Sequence, residues 1–218
     1  MRFRVKQALV SIKDKIIWGV FITALVKGYQ KLSYSFISAL AVIDSASPAQ
    51  SWSPTFFLAL FSMTPLAICL FLIHNHDRLG DKDFVTSYGA LYSNLRIDKP
   101  SAYCFNGIFL ARRLLFALTL NTFFTDICFF NVILQIFASF SLMLYIATVR
   151  PFEFYRDNWI EMMNESTIIA IFYMCLGVIT NDSLLTGELK SQIGFAIMGL
   201  VIANIILNFS IFIHSIYK

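Results

Sequence analysis

The sequence predicts an all-α polytopic membrane protein, a six-helix transmembrane bundle with both termini in the cytoplasm. Of its 218 residues, 58% are hydrophobic and only 14% are charged, whereas soluble domains have about 45 to 50% apolar residues. Six apolar runs are long enough, at about 1.5 Å per residue, to cross roughly 30 Å of hydrocarbon. The predicted spans, all within one transmembrane domain at 16–214, are 16–43, 54–73, 103–122, 127–149, 158–179 and 193–213.

Residues 1–15 precede the first span as a basic flank. Five lysines and arginines stand there among apolar residues, a pattern typical of an amphipathic helix on a membrane surface. A plain basic flank is the alternative. In the first span, Lys27, Gln30 and Lys31 share one helix face, which must point at protein or water because lysine is costly in lipid.

The connections between spans carry helix-breaking or polar residues. Residues 44–53, which contain Pro48, are predicted as a loop, and Pro65 is expected to kink the second span. Residues 74–100 form a polar connector on the membrane surface, where His74 and His76 are interpreted as interfacial residues rather than metal ligands. Pro151 should end the fourth helix, because proline disfavours helical geometry in the residue before it.

Lysine and arginine counts predict the orientation. The N-terminal flank and residues 74–103 and 150–157 carry more of these residues than the connections at 44–53, 121–126 and 180–192. The side richer in lysine and arginine stays cytoplasmic, so both termini are expected there.

Two groups of charged residues fall within the predicted spans. Arg112 and Arg113 lie in the third span, and Glu161 and Glu165 start the fifth. Both groups belong to the cytoplasmic half, so we expect an arginine to pair with one of the glutamates. Such a pair neutralises buried charge and fixes helix order.

Three other readings of the intramembrane polar residues stay open. Carboxylate and amide oxygens suit hard cations, so a cation site is possible at Asn158, Glu161, Asn164 and Glu165. Lipid headgroup phosphate is a second ligand class, for Lys27, Lys31, Arg112 and Arg113. Asn204, Asn208 and Gln135 are expected to form interhelical hydrogen bonds.

The sequence lacks the motifs typical of metalloproteins, enzymes and nucleic-acid-binding proteins. The four cysteines are widely spaced and are interpreted as packing residues, with no metal site or cofactor. No phosphate-binding loop or hydrolase motif occurs, so an enzyme is not expected. The basic residues flank spans and form no patch with interleaved aromatics, which argues against nucleic acid as a partner.

Four segments, in this order and at this spacing, resemble a known group of proteins. They are YGALYSNLR at 88–96, ARRLLFAL at 111–118, RPF at 150–152 and NWIEMMNE at 158–165. The chain is similar, over roughly residues 16–214, to the C-terminal membrane module of ciliate and other protist TRP-like multipass proteins. The resemblance implies a TRP-channel-like or sensory protein of the plasma membrane or an endomembrane, in a family that often carries a cysteine-rich extracellular region.

The leading hypothesis is a non-enzymatic, TRP-like transmembrane module that is channel-like or transport-associated. The alternative is a structural accessory subunit of a large membrane complex, such as a lineage-specific subunit of a respiratory assembly in the mitochondrial inner membrane.

Residues 180–192 are too few for a TRP-type pore helix and filter, and the cysteine-rich region is absent from this sequence. Both departures favour the accessory subunit. A lipid-binding protein is the third hypothesis. The expected partners are the lipid bilayer and other membrane protein subunits.

Overall fold

The computed structural model describes residues 19–20, 22–39, 48–121, 128–181 and 184–216. Over these ranges the chain is helical and forms no strand, although one isolated antiparallel bridge joins Leu95 to Phe152. The all-α prediction is confirmed. The basic flank at 1–15 and the turn around Asp126 lie outside the described residues.

Eight helices can be followed in the described ranges. The first, α1, covers residues 22–39 and the two described residues before them. The others are α2 (Pro48–His74), α3 (Lys82–Tyr88), α4 (Pro100–Tyr103), α5 (Phe105–Asn121), α6 (Cys128–Val149), α7 (Tyr155–Thr180) and α8 (Gly187–Ile216). Short 3-10 turns at His76–Arg78 and Gly89–Leu91 flank α3.

Four of the described helices are long and apolar enough to cross a membrane. The apolar stretches are Thr55–His74, Cys128–Val149, Tyr155–Thr180 and Gly187–His214. The chain is therefore an integral membrane protein. Helix α5 has 17 residues, and the ends of α1 lie outside the described residues, so the predicted count of six spans stays a prediction.

The helices extend beyond several predicted limits. Residues 48–53 are helical rather than part of a loop, since α2 starts at Pro48. Proline suits the first turn of a helix because its missing N–H has no partner there in any case. The helix also continues through Pro65. Helix α8 begins at Gly187, so only 181–186 separate it from α7.

The described residues fall into two units. The first unit lies within Met1–Phe123 and Pro151–Glu153, and the second within Phe124–Arg150 and Phe154–Lys218. The chain thus leaves the second unit after α6, contributes three residues to the first unit, and returns to start α7. The prediction that Pro151 ends this helix is confirmed, because α6 ends at Val149 and Arg150 adopts a φ of 51°.

Aromatic and close backbone contacts hold the first unit together. The Tyr29 hydroxyl of α1 donates a hydrogen bond to the carbonyl oxygen of Phe61 in α2, at 2.7 Å. Helix α2 also packs against α5, where a Cβ atom on Gly107 would lie only 2.8 Å from the carbonyl oxygen of Pro65. The free thiols of Cys69 and Cys104 lie 3.7 and 3.9 Å from each other's carbonyl oxygens, which confirms packing roles for these two cysteines.

The second unit is an arrangement of three long helices. Helix α7 packs along α6 and also contacts α8. An apolar groove of about 650 Å³ runs along α6 and α7, lined by residues such as Phe137, Phe140 and Ile169. None of the 18-residue apolar window of α8 is buried in the structure, so this helix presents its apolar surface to lipid or to other chains.

Candidate functional site

A network of side-chain amides joins α7 to α8 in the second unit. The Oδ1 atom of Asn164 accepts hydrogen bonds from the Nδ2 atoms of Asn204, at 3.1 Å, and Asn208, at 2.8 Å. The Nδ2 atom of Asn164 donates to Oε2 of Glu161 at 3.3 Å. The prediction that Asn204 and Asn208 form interhelical hydrogen bonds is therefore confirmed, with Asn164 as their shared acceptor. We call Glu161, Asn164, Asn204 and Asn208 the polar network.

Helix periodicity explains why the polar network forms. Asn204 and Asn208 are four residues apart, so they lie on one face of α8, about one helical turn from each other. Asn208 is also held locally, because its Nδ2 atom lies 2.9 Å from the carbonyl oxygen of Asn204. Interhelical hydrogen bonds of this kind contribute about 0.6 to 2 kcal/mol each in membrane proteins. The polar network therefore fixes both the register and the facing surfaces of α7 and α8.

Two further polar residues of α7 are buried. Glu165 is 1% exposed and Asn158 is 4% exposed. The Nδ2 atom of Asn158 donates to the carbonyl oxygen of Phe154 at 3.1 Å, in the preceding turn. In α6, Gln135 and Ser139 are also buried. Polar residues within spans face protein or water because lipid cannot satisfy them, so the buried polar face of α7 is a protein-facing surface.

The predicted arginines lie in the first unit. The Nη1 atom of Arg113 lies 3.4 Å from the carbonyl oxygen of Val26 in α1, and its guanidinium carbon is 4.2 Å from the centroid of the Phe109 ring. Both contacts suit a half-buried guanidinium, since they supply an acceptor and a cation–π partner. Arg112, the next residue along α5, is half-buried.

The predicted pairing of an arginine with Glu161 or Glu165 joins residues of different units and stays a prediction. The cation site suggested by Asn158, Glu161 and its neighbours also stays a prediction. Over the described ranges, no group of three or more His, Cys, Asp or Glu side chains is placed to hold a metal ion. The amide oxygen of Asn164 accepts two hydrogen bonds.

Two of the segments that carry the family resemblance contact each other in the first unit. The N–H of Arg96 donates to the carbonyl oxygen of Pro151 at 2.8 Å, and the N–H of Glu153 donates to that of Asn94 at 3.0 Å. These bonds make the antiparallel bridge between Leu95 and Phe152. We call this pair of segments the turn clamp, because it holds the turn between α6 and α7.

Backbone geometry and aromatic packing support the turn clamp. Asn94 has a φ of 63° and Arg150 a φ of 51°, and such positive values cost energy in non-glycine residues. The Phe152 ring packs edge-on against Phe105, with centroids 4.9 Å apart. Conformations of this kind persist where surrounding contacts determine them, and here the two backbone hydrogen bonds and the aromatic pair do so.

The connector at 74–100 is also held by hydrogen bonds from side chains that sequence patterns did not reveal. The Tyr92 hydroxyl donates to the carbonyl oxygen of Leu79 at 2.9 Å, and Nδ2 of Asn106 donates to that of Leu91 at 2.6 Å. Burial raises the pKa of the Tyr92 hydroxyl. Because these bonds end on backbone oxygens, no complementary side chain in the sequence could have indicated them.

The exposed charges of the connector include one well-formed ion pair. The Arg96 guanidinium binds the Asp98 carboxylate through two hydrogen bonds of 3.2 and 2.7 Å, and it holds the pKa of that carboxyl below its usual value. His76 stacks on the Tyr103 ring, with centroids 5.6 Å apart, while His74 is exposed at the end of α2. Lys27 and Lys31 are exposed on α1.

These observations define a class: an all-helical integral membrane protein with a polar network between two of its membrane helices. Comparison with known proteins does not narrow that class, because no family model, no curated protein and no solved structure matches the chain.

Proposed function

We propose that the chain is a non-enzymatic, TRP-like transmembrane module with a channel-like or transport-associated role. In this proposal it crosses the membrane six times, with both termini in the cytoplasm. The polar network of Glu161, Asn164, Asn204 and Asn208 is the observation that carries the proposal. Polar residues at membrane depth are costly and mark ion or substrate pathways by default.

The short connection between α7 and α8 limits the kind of ion pathway that we propose. Only residues 181–186 connect α7 to α8, so a re-entrant pore helix and filter have no place between these two helices. The proposed ion pathway therefore runs along the surface of α7. The buried carboxyl of Glu165 lies there, one residue after the network residue Asn164. An ion or small solute would exchange its hydration for amide and carboxylate oxygens there.

The test is flux through liposomes that contain the purified full chain. We expect cation flux above that of protein-free liposomes, and we expect Glu165→Gln to lower it at least severalfold while the unfolding temperature stays unchanged. Glu188→Gln is the matched control, because Glu188 is exposed in the first turn of α8. Flux equal to that of empty liposomes, or equal flux in both variants, would contradict the proposal.

One observation favours the second candidate, a structural accessory subunit of a large membrane complex. The apolar window of α8 has none of its residues buried, and that of α7 has 6%. Partner subunits would cover this surface. The mass of the particle extracted from its native membrane in mild detergent distinguishes the candidates. A large particle with many different subunits supports the accessory role, and a small homo-oligomer supports the transport module.

A further inference from the structure

Two cysteine side chains of the first unit face each other where α2 packs against α5. Cys69 lies in the last two turns of α2, and Cys104 is the residue between α4 and α5. The Sγ atom of Cys69 is 3.7 Å from the carbonyl oxygen of Cys104, and the Sγ atom of Cys104 is 3.9 Å from that of Cys69. A hydrogen bond also joins the two thiols. We call Cys69 and Cys104 the thiol pair.

Gly107 explains why the two cysteines come so close. Because this residue has no side chain, α5 approaches α2 directly, and a Cβ atom at this position would collide with Sγ of Cys69. A disulfide forms only where two cysteines lie close together with their side chains directed at each other. The reciprocal contacts of the thiol pair meet this requirement, although both cysteines are free in this structure.

The surroundings of the thiol pair determine which oxidant can reach it. Cys104 is buried and Cys69 is half-buried, and Cys69 belongs to an apolar stretch long enough to cross a membrane. A charged oxidant is costly to place in such surroundings, whereas a small neutral peroxide can enter them. Because Cys69 is the more exposed of the two, it is the thiol that such a peroxide meets first.

We infer that the thiol pair is a site of reversible oxidation, where hydrogen peroxide converts Cys69 and Cys104 to an intrachain disulfide. Cys69 loses its proton and attacks one peroxide oxygen, the O–O bond breaks, and the products are a sulfenic acid and water. Cys104 then attacks the sulfur of the sulfenic acid, the S–O bond breaks, and the hydroxide leaves with the Cys104 proton as a second water. Two thiols are oxidised and one peroxide is reduced. The inference does not depend on transport by the polar network.

The disulfide closes a loop that contains the whole polar connector at 74–100. Its two cysteines are 35 positions apart in the sequence, and the loop includes Asn94 and Arg96, which form the hydrogen bonds of the turn clamp. A cross-link of this kind lowers the entropy of the unfolded chain and so stabilises the fold. The proposed topology places the connector in the cytoplasm, where thiols are kept reduced. The bridge is therefore a response to oxidant rather than a permanent part of the fold.

Hydrogen peroxide added to the full chain in lipid nanodiscs tests this inference. The variant Cys128→Ser/Cys175→Ser retains only the thiol pair, because the chain has four cysteines. We expect maleimide labelling of the denatured variant to show that both thiols are lost together and that dithiothreitol restores them. Mass spectrometry of the non-reduced digest should find the peptides of Cys69 and Cys104 linked within the monomer. The unfolding temperature should rise by roughly 5 to 10 °C.

The matched control is Cys104→Ser in the same background. It keeps the half-buried Cys69 but should give no internally linked peptide and no rise in unfolding temperature. If the serine variants do not fold, the linked peptide is sought in the oxidised wild-type protein, where Cys128 is an exposed reference thiol. A treatment that oxidises Cys128 but leaves Cys69 and Cys104 unlinked would overturn the inference, and so would linkage only between separate molecules.

Discussion

The two units of the molecule are stabilised by different kinds of contact. In the first unit, the described contacts include aromatic pairs, hydrogen bonds that end on backbone oxygens, and the close approach of α2 and α5 at Gly107. In the second unit, side-chain amides link α7 to α8. Close packing therefore joins α2 to α5 in the first unit, whereas side-chain hydrogen bonds join α7 to α8 in the second.

This difference has a physical basis in the surroundings of each unit. Lipid is as apolar as leucine, so helices in a membrane gain little by burying apolar surface and need close packing or hydrogen bonds to associate. The first unit contains the polar connector, whose backbone groups must be satisfied outside regular helix. Helices α7 and α8 satisfy their own backbones, which leaves side chains such as Asn164 to specify the contact between them.

The largest expected effect is that of a methyl group added at Gly107. We expect Gly107→Ala to destabilise the protein by about 1 to 3 kcal/mol, because overpacking forces the backbone to shift and the new Cβ would lie 2.8 Å from the carbonyl oxygen of Pro65. Thermal unfolding in detergent measures the change. Gly177→Ala in α7 is the matched control, since nothing lies within 4 Å of its added Cβ.

For the control we expect no loss of stability, and up to about 1 kcal/mol of gain from the better helix propensity of alanine. Equal unfolding temperatures for Gly107→Ala and the wild type would show that α2 and α5 can separate without cost. That result would remove the contrast between the two units.

The next effect concerns the turn clamp. Phe152→Ala removes the ring that packs on Phe105, and we expect a loss of about 1 to 2 kcal/mol from its buried area and aromatic pairing. The amide hydrogens of Arg96 and Glu153, which form the two clamp bonds, should exchange faster with solvent. Hydrogen exchange measured by mass spectrometry reports this change directly.

Phe154→Ala is the control for the turn clamp, because Phe154 lies two residues away and is 58% exposed. It should leave the exchange of both amides unchanged. If the two variants accelerate exchange equally, the Phe152 ring does not hold the clamp.

Much of the fold could be predicted because it depends on the period and the length of the apolar runs in the sequence. The apolar runs after residue 126 each correspond to one long helix, and Pro151 ends α6 as expected. The start of α2 was harder, because Pro48 suits both a loop and a first helical turn. The small elements around α3 were not foreseen at all, since a seven-residue helix shows too few turns to produce a clear period.

The candidate site was predictable only where side chains meet side chains. Asn204 and Asn208 were recognised by their spacing of four residues, but their acceptor, Asn164, could not be identified. Its amide oxygen also suits the alternative of a cation site, and spacing within α7 says nothing about which residue of α8 faces it. The turn clamp was outside the reach of sequence reasoning because its two hydrogen bonds join backbone atoms, which are the same in every residue.

The third prediction tests whether the polar network acts as one unit. Asn164→Ala and Asn208→Ala should each destabilise the second unit by about 1 kcal/mol, and the double variant should cost less than the sum because both remove the same 2.8 Å bond. Thermal unfolding of the four proteins gives the coupling energy. Asn181→Ala is the control, since the Asn181 amide, at the end of α7, donates to the Gly177 carbonyl oxygen and the Thr180 hydroxyl, both in α7. Additive losses would show that the two residues act separately.

The smallest expected effect is the pH dependence of the Arg96–Asp98 pair, and its sign follows from the lowered pKa of Asp98. A carboxyl whose pKa is lower in the folded state stabilises that state above its unfolded pKa of about 3.9. The contribution is lost as the pH falls through the folded value. Because the pair is exposed, solvent screening keeps the effect small. We expect Asp98→Asn to lower the unfolding temperature slightly at pH 7 and to match the wild type once the pH is below the folded pKa. Asp77→Asn, at an exposed carboxylate of the same connector, is the control and should unfold at the wild-type temperature at pH 7. A difference for Asp98→Asn that persists in acid would mean that the side chain acts through shape rather than charge.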